Sequence, residues 1–249
     1  MMSPASNRAR ILSVLLFAAA LLGCSRQAQA TPVCVADTLQ NYISLGATGC
    51  SVGSAVFNDF GLLAIPNGST AIAANQVLVT PSSGASDVAL AFSFVPTVVA
   101  GAGDTLETLF GYNVTAAGLS RTTLMLDGAS ASDDASVTSG MNYCVGAAYS
   151  AVLCPTDLVT AVFDPALGID TLTDASGLFG PVGLVGVVGD IAVGAGLSGD
   201  ASIDGPATHQ FDLRQVTPPT PVPEPASLVL VSLGLGVAGR RLKRFQRRP

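Results

Sequence analysis

The sequence predicts a mainly β fold: an antiparallel β-sandwich, jelly-roll-like, clamped by disulfides and carrying one short helix at its N-terminal edge. Three observations carry this expectation. Between residues 31 and 216, apolar side chains alternate with small or polar ones in about eight short runs, the period of a half-buried strand. Clusters of Gly, Pro, Ser and Asp separate the runs and supply turn chemistry. Four cysteines come as two close pairs, Cys34/Cys50 and Cys144/Cys154, each suited to pinning a local loop.

The chain opens with a leader. Arg8 and Arg10 precede an apolar run, Ile11 to Leu22, which has the length of a signal-peptide core and not of a spanning helix. Ala28-Gln29-Ala30 then forms a small-x-small cleavage site, with Thr31 as the mature start. A competing signal, Leu21-Leu22-Gly23-Cys24, has the form of a lipobox in which Cys24 would be lipidated; Leu directly before the Gly is less usual there, so cleavage after Ala30 is preferred. Export places the remaining cysteines in an oxidising compartment. Four cysteines allow three connectivities, and the local pairs 34–50 and 144–154 close the shortest loops. A four-thiolate metal site fits poorly, since no Cys-x-x-Cys is present.

The body then follows in order. Asp37 or Thr38 can cap a helix whose Leu39, Tyr42 and Ile43 share a face, with Gly46 just past its end. Val52–Phe60 reads as a strand with Phe57 and Phe60 as core candidates. Gln76–Thr80 reads as another, stopped by Pro81. In 87–95, Val88, Leu90, Phe92 and Phe94 point one way. Thr108, Phe110, Tyr112 and Val114 share a face, and so do Thr122, Leu124 and Leu126. The stretch 143–155 reads as a hairpin or loop clamp. Short strands are expected at 158–163 and 169–172. Gly183, Gly186 and Gly189 mark 182–193 as a curved or bulged strand. The last strand is expected at 208–216.

Charge divides the chain sharply. Charged residues make up 11% of it, too few for a disordered protein. All seventeen acids lie between Asp37 and Glu224. Arg121 and Arg214 are the only cations between leader and tail, so residues 31–225 set two cations against seventeen acids, a net −15. Such a surface repels phosphate backbones, and no nucleic-acid partner is expected.

Candidate chemistry is sparse. His209 is the single histidine; it lies in an alternating strand beside Phe211 and Leu213, and no Gly-x-Ser-x-Gly elbow accompanies it, so a core position is the expected reading. Gly194-Ala-Gly-Leu-Ser-Gly199 matches the letters of a dinucleotide fingerprint, but turn residues follow it where a helix is required. Two Asp sets on loops, Asp127/Asp133/Asp134 and Asp190/Asp200/Asp204, offer hard oxygen donors of the kind calcium takes, without EF-hand spacing; solvated turn aspartates are the default. Asn67 and Asn113 fit glycosylation letters and are expected to be unused. A chain with no Trp lacks the usual aromatic platform for sugar rings. No catalytic residue, metal ligand or cofactor is expected.

The last residues carry the clearest pattern. A Pro-rich spacer from Thr217 leads into Val222-Pro-Glu-Pro-Ala-Ser227, then an apolar run from Ala226 to Gly239, then Arg240-Arg-Leu-Lys-Arg-Phe-Gln-Arg-Arg248. This order of motif, short apolar segment and basic end resembles the PEP-CTERM sorting signal of exported proteins. Tails of this kind are also labelled after an ice-binding protein that bears one, which describes the tail and not an activity. The stretch from Thr38 to Cys50 with Val52 to Phe57 also resembles the N-terminal part of many PEP-CTERM cargo proteins. The resemblance implies recognition by an exosortase, a membrane transpeptidase, through Pro223, Glu224 and Pro225. As a helix the apolar run would span about 21 Å, short of a roughly 30 Å hydrocarbon core. Leu242 and Phe245 can extend it while the arginines snorkel, and the cations hold the end in the cytoplasm.

The expected organisation is therefore a signal peptide at 1–30, an extracytoplasmic β-sandwich domain at 31–216 and a Pro-rich linker at 217–222. A sorting signal with a transmembrane helix and basic tail completes it at 223–249. The function expected is non-enzymatic: an exported, inner-membrane-anchored precursor, sorted by an exosortase to the periplasm, cell surface or an exopolysaccharide matrix. The alternative is a ligand-binding module for polysaccharide, calcium or ice on the same tail. A secreted hydrolase is the third reading; it needs a cleft with convergent carboxylates, and nothing in the sequence orders neighbours such as Asp133 and Asp134 into one.

Overall fold

The computed structural model describes residues 30–149 and 157–214. The leader with Cys24, Ala28 and part of the cleavage triplet, Cys154, and the chain from 215 onward lie outside the described residues, so the readings made on them stand as expectations.

β1 (Asp37–Thr38) runs straight into α1 (Leu39–Ser44). The Asn41 N–H donates to the Thr38 hydroxyl at 3.3 Å, capping the helix, and Gly46 adopts φ 53° just beyond its end. Leu39 and Tyr42 are buried, and Ile43 packs against the same core. Next come β2 (Cys50–Val52) and β3 (Ala55–Leu62). The sequence reads one strand here, and the chain instead forms a hairpin in which Val52 faces Ala55. Gly53, at φ 57°, supplies the left-handed conformation that a two-residue hairpin turn needs.

β4 (Thr70–Ala71) adds a short parallel pairing at Leu106 and Glu107. β5 (Val77–Ser83) and β6 (Asp87–Phe94) form the next hairpin. β5 continues through Pro81, where the sequence predicts a stop. β1 pairs only with Leu78 and Val79, so Pro81 lies past its reach on an open edge, where a strand proline costs no ladder bond.

After β7 (Val98–Ala100), the two alternating runs at 108–114 and 121–127 merge into one 22-residue strand, β8 (Thr105–Leu126). Gly118 at φ 84° and register shifts opposite Val182–Leu184 and Asp212–Leu213 bend it without ending it. β9 (Ala129–Ala131), β10 (Ser136–Val145), β11 (Leu158–Asp164), β12 (Ile169–Thr171) and β13 (Thr173–Ala175) follow. β14 (Val182–Gly194), β15 (Ala201–Ile203) and β16 (Ala207–Leu213) complete the domain.

The bend in β8 folds one continuous sheet onto itself. Its C-terminal half pairs with β16, which continues through β6 and β5 to β1. Its N-terminal half lies between β3 and β14, and β14 leads through β10 and β11 to β12. Nearly all these pairings are antiparallel. The inner faces meet in an aromatic core: Phe92 of β6 lies 4.5 Å from Phe110 of β8, and Phe57 of β3 lies 6.0 Å from Phe211 of β16, centroid to centroid. Tyr112 and Leu124 of β8 are fully buried in the same core. A small sheet in the order β7-β15-β9 sits apart from this ladder.

The Cys34–Cys50 disulfide ties the N-terminal arm to β2 across a separation of 16 residues. Cys144, at the end of β10, is also disulfide-bonded; Cys154, the partner expected for it, lies outside the described residues. Closing a loop the size of 34–50 restricts the unfolded chain by about 3 kcal/mol. The Cys34→Ala/Cys50→Ala variant is expected to lose about that much stability in urea unfolding of the full-length chain. A variant as stable as the parent would show that the clamp does not hold the arm.

Candidate functional site

A cleft of about 670 Å³ opens on the outer face of the sheet that contains the N-terminal half of β8. Register fixes its floor. Glu107 lies opposite Ala192 and Leu109 opposite Asp190, while Thr138 and Gly140 of β10 lie opposite the same two β14 residues. Thr160 and Val162 of β11 extend the rows. Side chains two apart on a strand share a face, so these rows form one surface. The segment after β3, with Leu63, Ala64 and Pro66, makes a wall. Beyond the floor, Tyr149 lies over Gly111 and Gly186, where an added Cβ would come within 2.4 Å and 2.0 Å of it; its N–H donates to Asn113 Oδ1 at 2.9 Å. At Gly140 an added Cβ would make only ordinary contacts, 3.8 Å to Leu158 and 3.9 Å to Asp190. The lack of a side chain there keeps the middle of the cleft open.

Two acids meet in this mostly aliphatic cleft. Glu107 is 5% exposed. Asp190 is diagonal to it across the β8–β14 ladder, and its Oδ1 is buried without a hydrogen-bond partner. Burial first, then the charge and hydrogen bonding of Glu107, push the Asp190 carboxyl up to about 6. In weakly acidic solution Asp190 therefore holds a proton that an ordinary aspartate would have released.

The residues singled out from the sequence are dispersed. His209 is fully buried in the sandwich core, its Nδ1 2.8 Å from the Tyr112 hydroxyl. Burial lowers its pKa to about 3, so it stays neutral and away from any surface. Gly189 makes room for it: an added Cβ would stand 2.7 Å from both the His209 and Phe110 rings. The sequence reads that glycine as curvature, whereas its use is close approach. Asp134 accepts from the N–H groups of Leu197, Ser198 and Gly199 at 2.7–3.0 Å and from the Ser198 hydroxyl at 2.9 Å. These bonds lower its pKa to about 2. The fingerprint-like glycines thus form a turn that cradles an anion, but the anion is the protein's own Asp134. Asp200 and Asp204 flank β15, apart from Asp190. Among the described residues no three His, Cys, Asp or Glu side chains gather as a metal-binding group. Asn113 is 6% exposed and donates to Asp59 Oδ2 at 3.1 Å, which leaves no room for a glycan, while Asn67 sits in an exposed turn. Pro223, Glu224, Pro225, Ala28 and Cys154 lie outside the described residues or, like Ala30, at their edge.

The sequence reading missed the pair that the fold assembles. In the sequence Glu107 is hidden beside the inward-facing Thr108 and Phe110, and Asp190 reads together with Asp200 and Asp204. The available signal was a lone acid within an otherwise apolar alternating run, once in each of two strands.

Comparison with known proteins places the tail. The family model for the PEP-CTERM protein-sorting motif matches residues 221–248, so the chain carries that motif at its C-terminal end. The motif implies an exported, membrane-anchored precursor and recognition by an exosortase. The match does not extend into the β-sandwich. No curated protein matches the chain. Two solved structures are similar at 9% identity: the enzymatically active domain of bacteriophage CBA120 tailspike protein 4, and TmCBM61 in complex with β-1,4-galactotriose. The first match covers 65% of this chain and 20% of the tailspike chain, with TM-score 0.24. The second covers 54% of this chain and 86% of TmCBM61, with TM-score 0.23. At these TM-scores neither likeness carries an argument about the domain.

The two perturbed groups, Asp190 in the cleft and His209 in the core, pull stability in opposite directions with pH. Asp190 titrates higher folded than its ordinary 3.8, so its contribution is complete below that value and is lost as pH rises through about 6. His209 titrates lower folded than its ordinary 6.5, so its contribution is complete above 6.5 and is lost as pH falls toward 3. Between about pH 4 and 6 the two slopes offset. Asp190→Asn is expected to raise the Tm at pH 7 and to leave a Tm that falls steadily below pH 6.5, read by calorimetry. A lower Tm at pH 7 would mean that the charged Asp190 carboxylate stabilises the fold.

Proposed function

We propose that this chain is a non-enzymatic surface or matrix protein of an exopolysaccharide-producing bacterium, sorted and processed by an exosortase through Pro223-Glu224-Pro225. The match to the sorting motif over 221–248 carries this reading. The apolar run 226–239 serves as the transmembrane helix, the basic end stays cytoplasmic, and the jelly-roll-like β-sandwich is the cargo displayed. The Cys34–Cys50 disulfide suits an oxidising compartment, and the acidic, cation-poor domain suits export in soluble form.

The non-enzymatic reading rests on the groups a hydrolase would use. His209 is sealed in the core. Glu107 and Asp190 do converge in a cleft, as a hydrolase requires. Both stand on a floor of mostly aliphatic side chains, and among the described residues no other titratable side chain lines the cleft to complete a hydrolytic site with them. The cleft itself favours a second reading, a ligand-binding module on the same tail. Of the ligands the sequence suggests, polysaccharide suits the cleft better than calcium or ice, because its walls combine apolar surface with Thr138, Thr160 and Asn142.

Fractionation of cells carrying the wild type beside Glu224→Ala, in an exosortase-competent host and with an antibody to the tail, tests the sorting reading. The wild type is expected to lose the tail and leave the inner membrane, while the variant accumulates there with its tail attached. Tail retention by both proteins would defeat the proposal.

A further inference from the structure

The Glu107–Asp190 pair has no counter-charge in its own fold. Arg121 and Arg214 are the only Lys or Arg side chains among the described residues, and neither lines the cleft. Arg121 is committed to Asp212, 2.6 Å away, on the half of β8 that belongs to the opposite sheet. β8 brings Glu107 and β14 brings Asp190; β10, β11 and the wall at 63–66 bring no titratable side chain to the lining, and β4, which pairs with β8 at Glu107, consists of Thr70 and Ala71. A carboxyl pair partly withdrawn from water and away from any cationic side chain favours a proton or a cation from outside.

The rest of the cleft indicates what that cation is attached to. Around the acids the surface is aliphatic, with Leu109, Val162, Val188 and Leu158, and no aromatic ring among the lining residues offers a sugar a stacking platform. Two carboxylates are too few for calcium, which takes six to eight oxygens. Methylene groups suit the aliphatic floor, and an ammonium suits the acid pair, which can accept its three N–H donors.

We propose that the cleft binds an aliphatic primary amine, its ammonium seated between Glu107 and Asp190 and its methylene chain lying over the space that Gly140 leaves open. The incoming ammonium replaces the proton that Asp190 holds in weakly acidic solution, and that proton leaves to solvent. The strongly acidic domain draws such cations toward the opening. This inference rests on the reading of the cleft as a ligand site and is independent of how the tail is sorted.

Calorimetric titration of the full-length chain in detergent provides the test, with 1,5-diaminopentane and spermidine as probes and 1,5-pentanediol as the uncharged control. The diamine is expected to bind at least about tenfold more tightly at pH 8 than at pH 5, the sign of competition with a proton. At about pH 6 its binding heat should vary with the ionisation enthalpy of the buffer as the proton is released. Glu107→Gln is expected to weaken binding at least about tenfold. Gly140→Leu keeps both acids and fills the cleft, so it is expected to abolish binding while the Tm shows the fold intact. A peptide with one internal lysine forms a second arm. Tighter binding of the peptide places the amine on a protein, and tighter binding of the diamine places it on a free metabolite; binding of neither overturns the proposal. Equal binding of the diol, or diamine binding that survives in Gly140→Leu, also overturns it. Binding of a neutral β-1,4-linked oligosaccharide that Gly140→Leu abolishes, with no binding of amines, would refute this ligand class while leaving the cleft as a ligand site.

Discussion

The domain depends on one backbone ladder, the passage of β8 through both layers of the sandwich. A strand that ended at Ala116 would leave β16 paired only with β6 on one layer, and β3 and β14 would each lose one neighbour on the other if it began later. Because β8 continues, the hydrogen bonds of one layer and those of the other are made by the same 22 residues. The aromatic contacts between Phe92 and Phe110 and between Phe57 and Phe211 then hold the layers face to face. These pairings join residues far apart in sequence, a topology in which loop closure is costly and folding is slow.

The same strand places the cleft. Its even-numbered residues from Phe110 to Val114 fill the core, so the odd-numbered ones must stand on the outer face. A charged residue on that face need not be buried, yet Glu107 is, because Asp190 and the wall after β3 cover it. Two acids that could each have been solvated are instead set side by side in a cleft, and burial raises the cost of ionising Asp190. That cost has no structural return within the domain, since hydrophobic residues of similar volume would cover the floor more favourably. Asp134 provides the contrast. Its carboxylate is satisfied four times by the turn it organises, so its charge is part of the fold.

What was legible in the sequence followed from local periodicity. The alternation at 87–94, the cap at Thr38, the pairing of Cys34 with Cys50 and the core position of His209 all depend on neighbours within a few residues or on a residue's own apolar surroundings. What escaped depended on distant partners. Nothing near Pro81 shows that β1 stops two residues short of it. Nothing near Gly118 tells a bent strand from a loop. Gly189 is small because His209 arrives from twenty residues downstream, and Glu107 matters because Asp190 lies across a ladder joining residues more than eighty apart. The tail is the opposite case. Its motif, apolar run and basic end are contiguous, so the sequence alone reads it.

Charge connects the two ends of the problem. Six of the eleven basic residues lie in the tail, from Arg240 to Arg248, and the domain keeps only Arg121 and Arg214 against its acids. A chain that needed cations for folding would spread them among those acids, as Arg121 is placed on Asp212. Here they are concentrated beyond the apolar run, the arrangement expected of a basic end that sets the direction of membrane insertion. The domain on the other side is left with a surface that attracts cations and a cleft that lacks one. Removal of the tail would take away six of the eleven basic residues. Processing of the kind proposed would therefore leave the domain's acidic charge with little to offset it, which favours the cationic ligand proposed for the cleft.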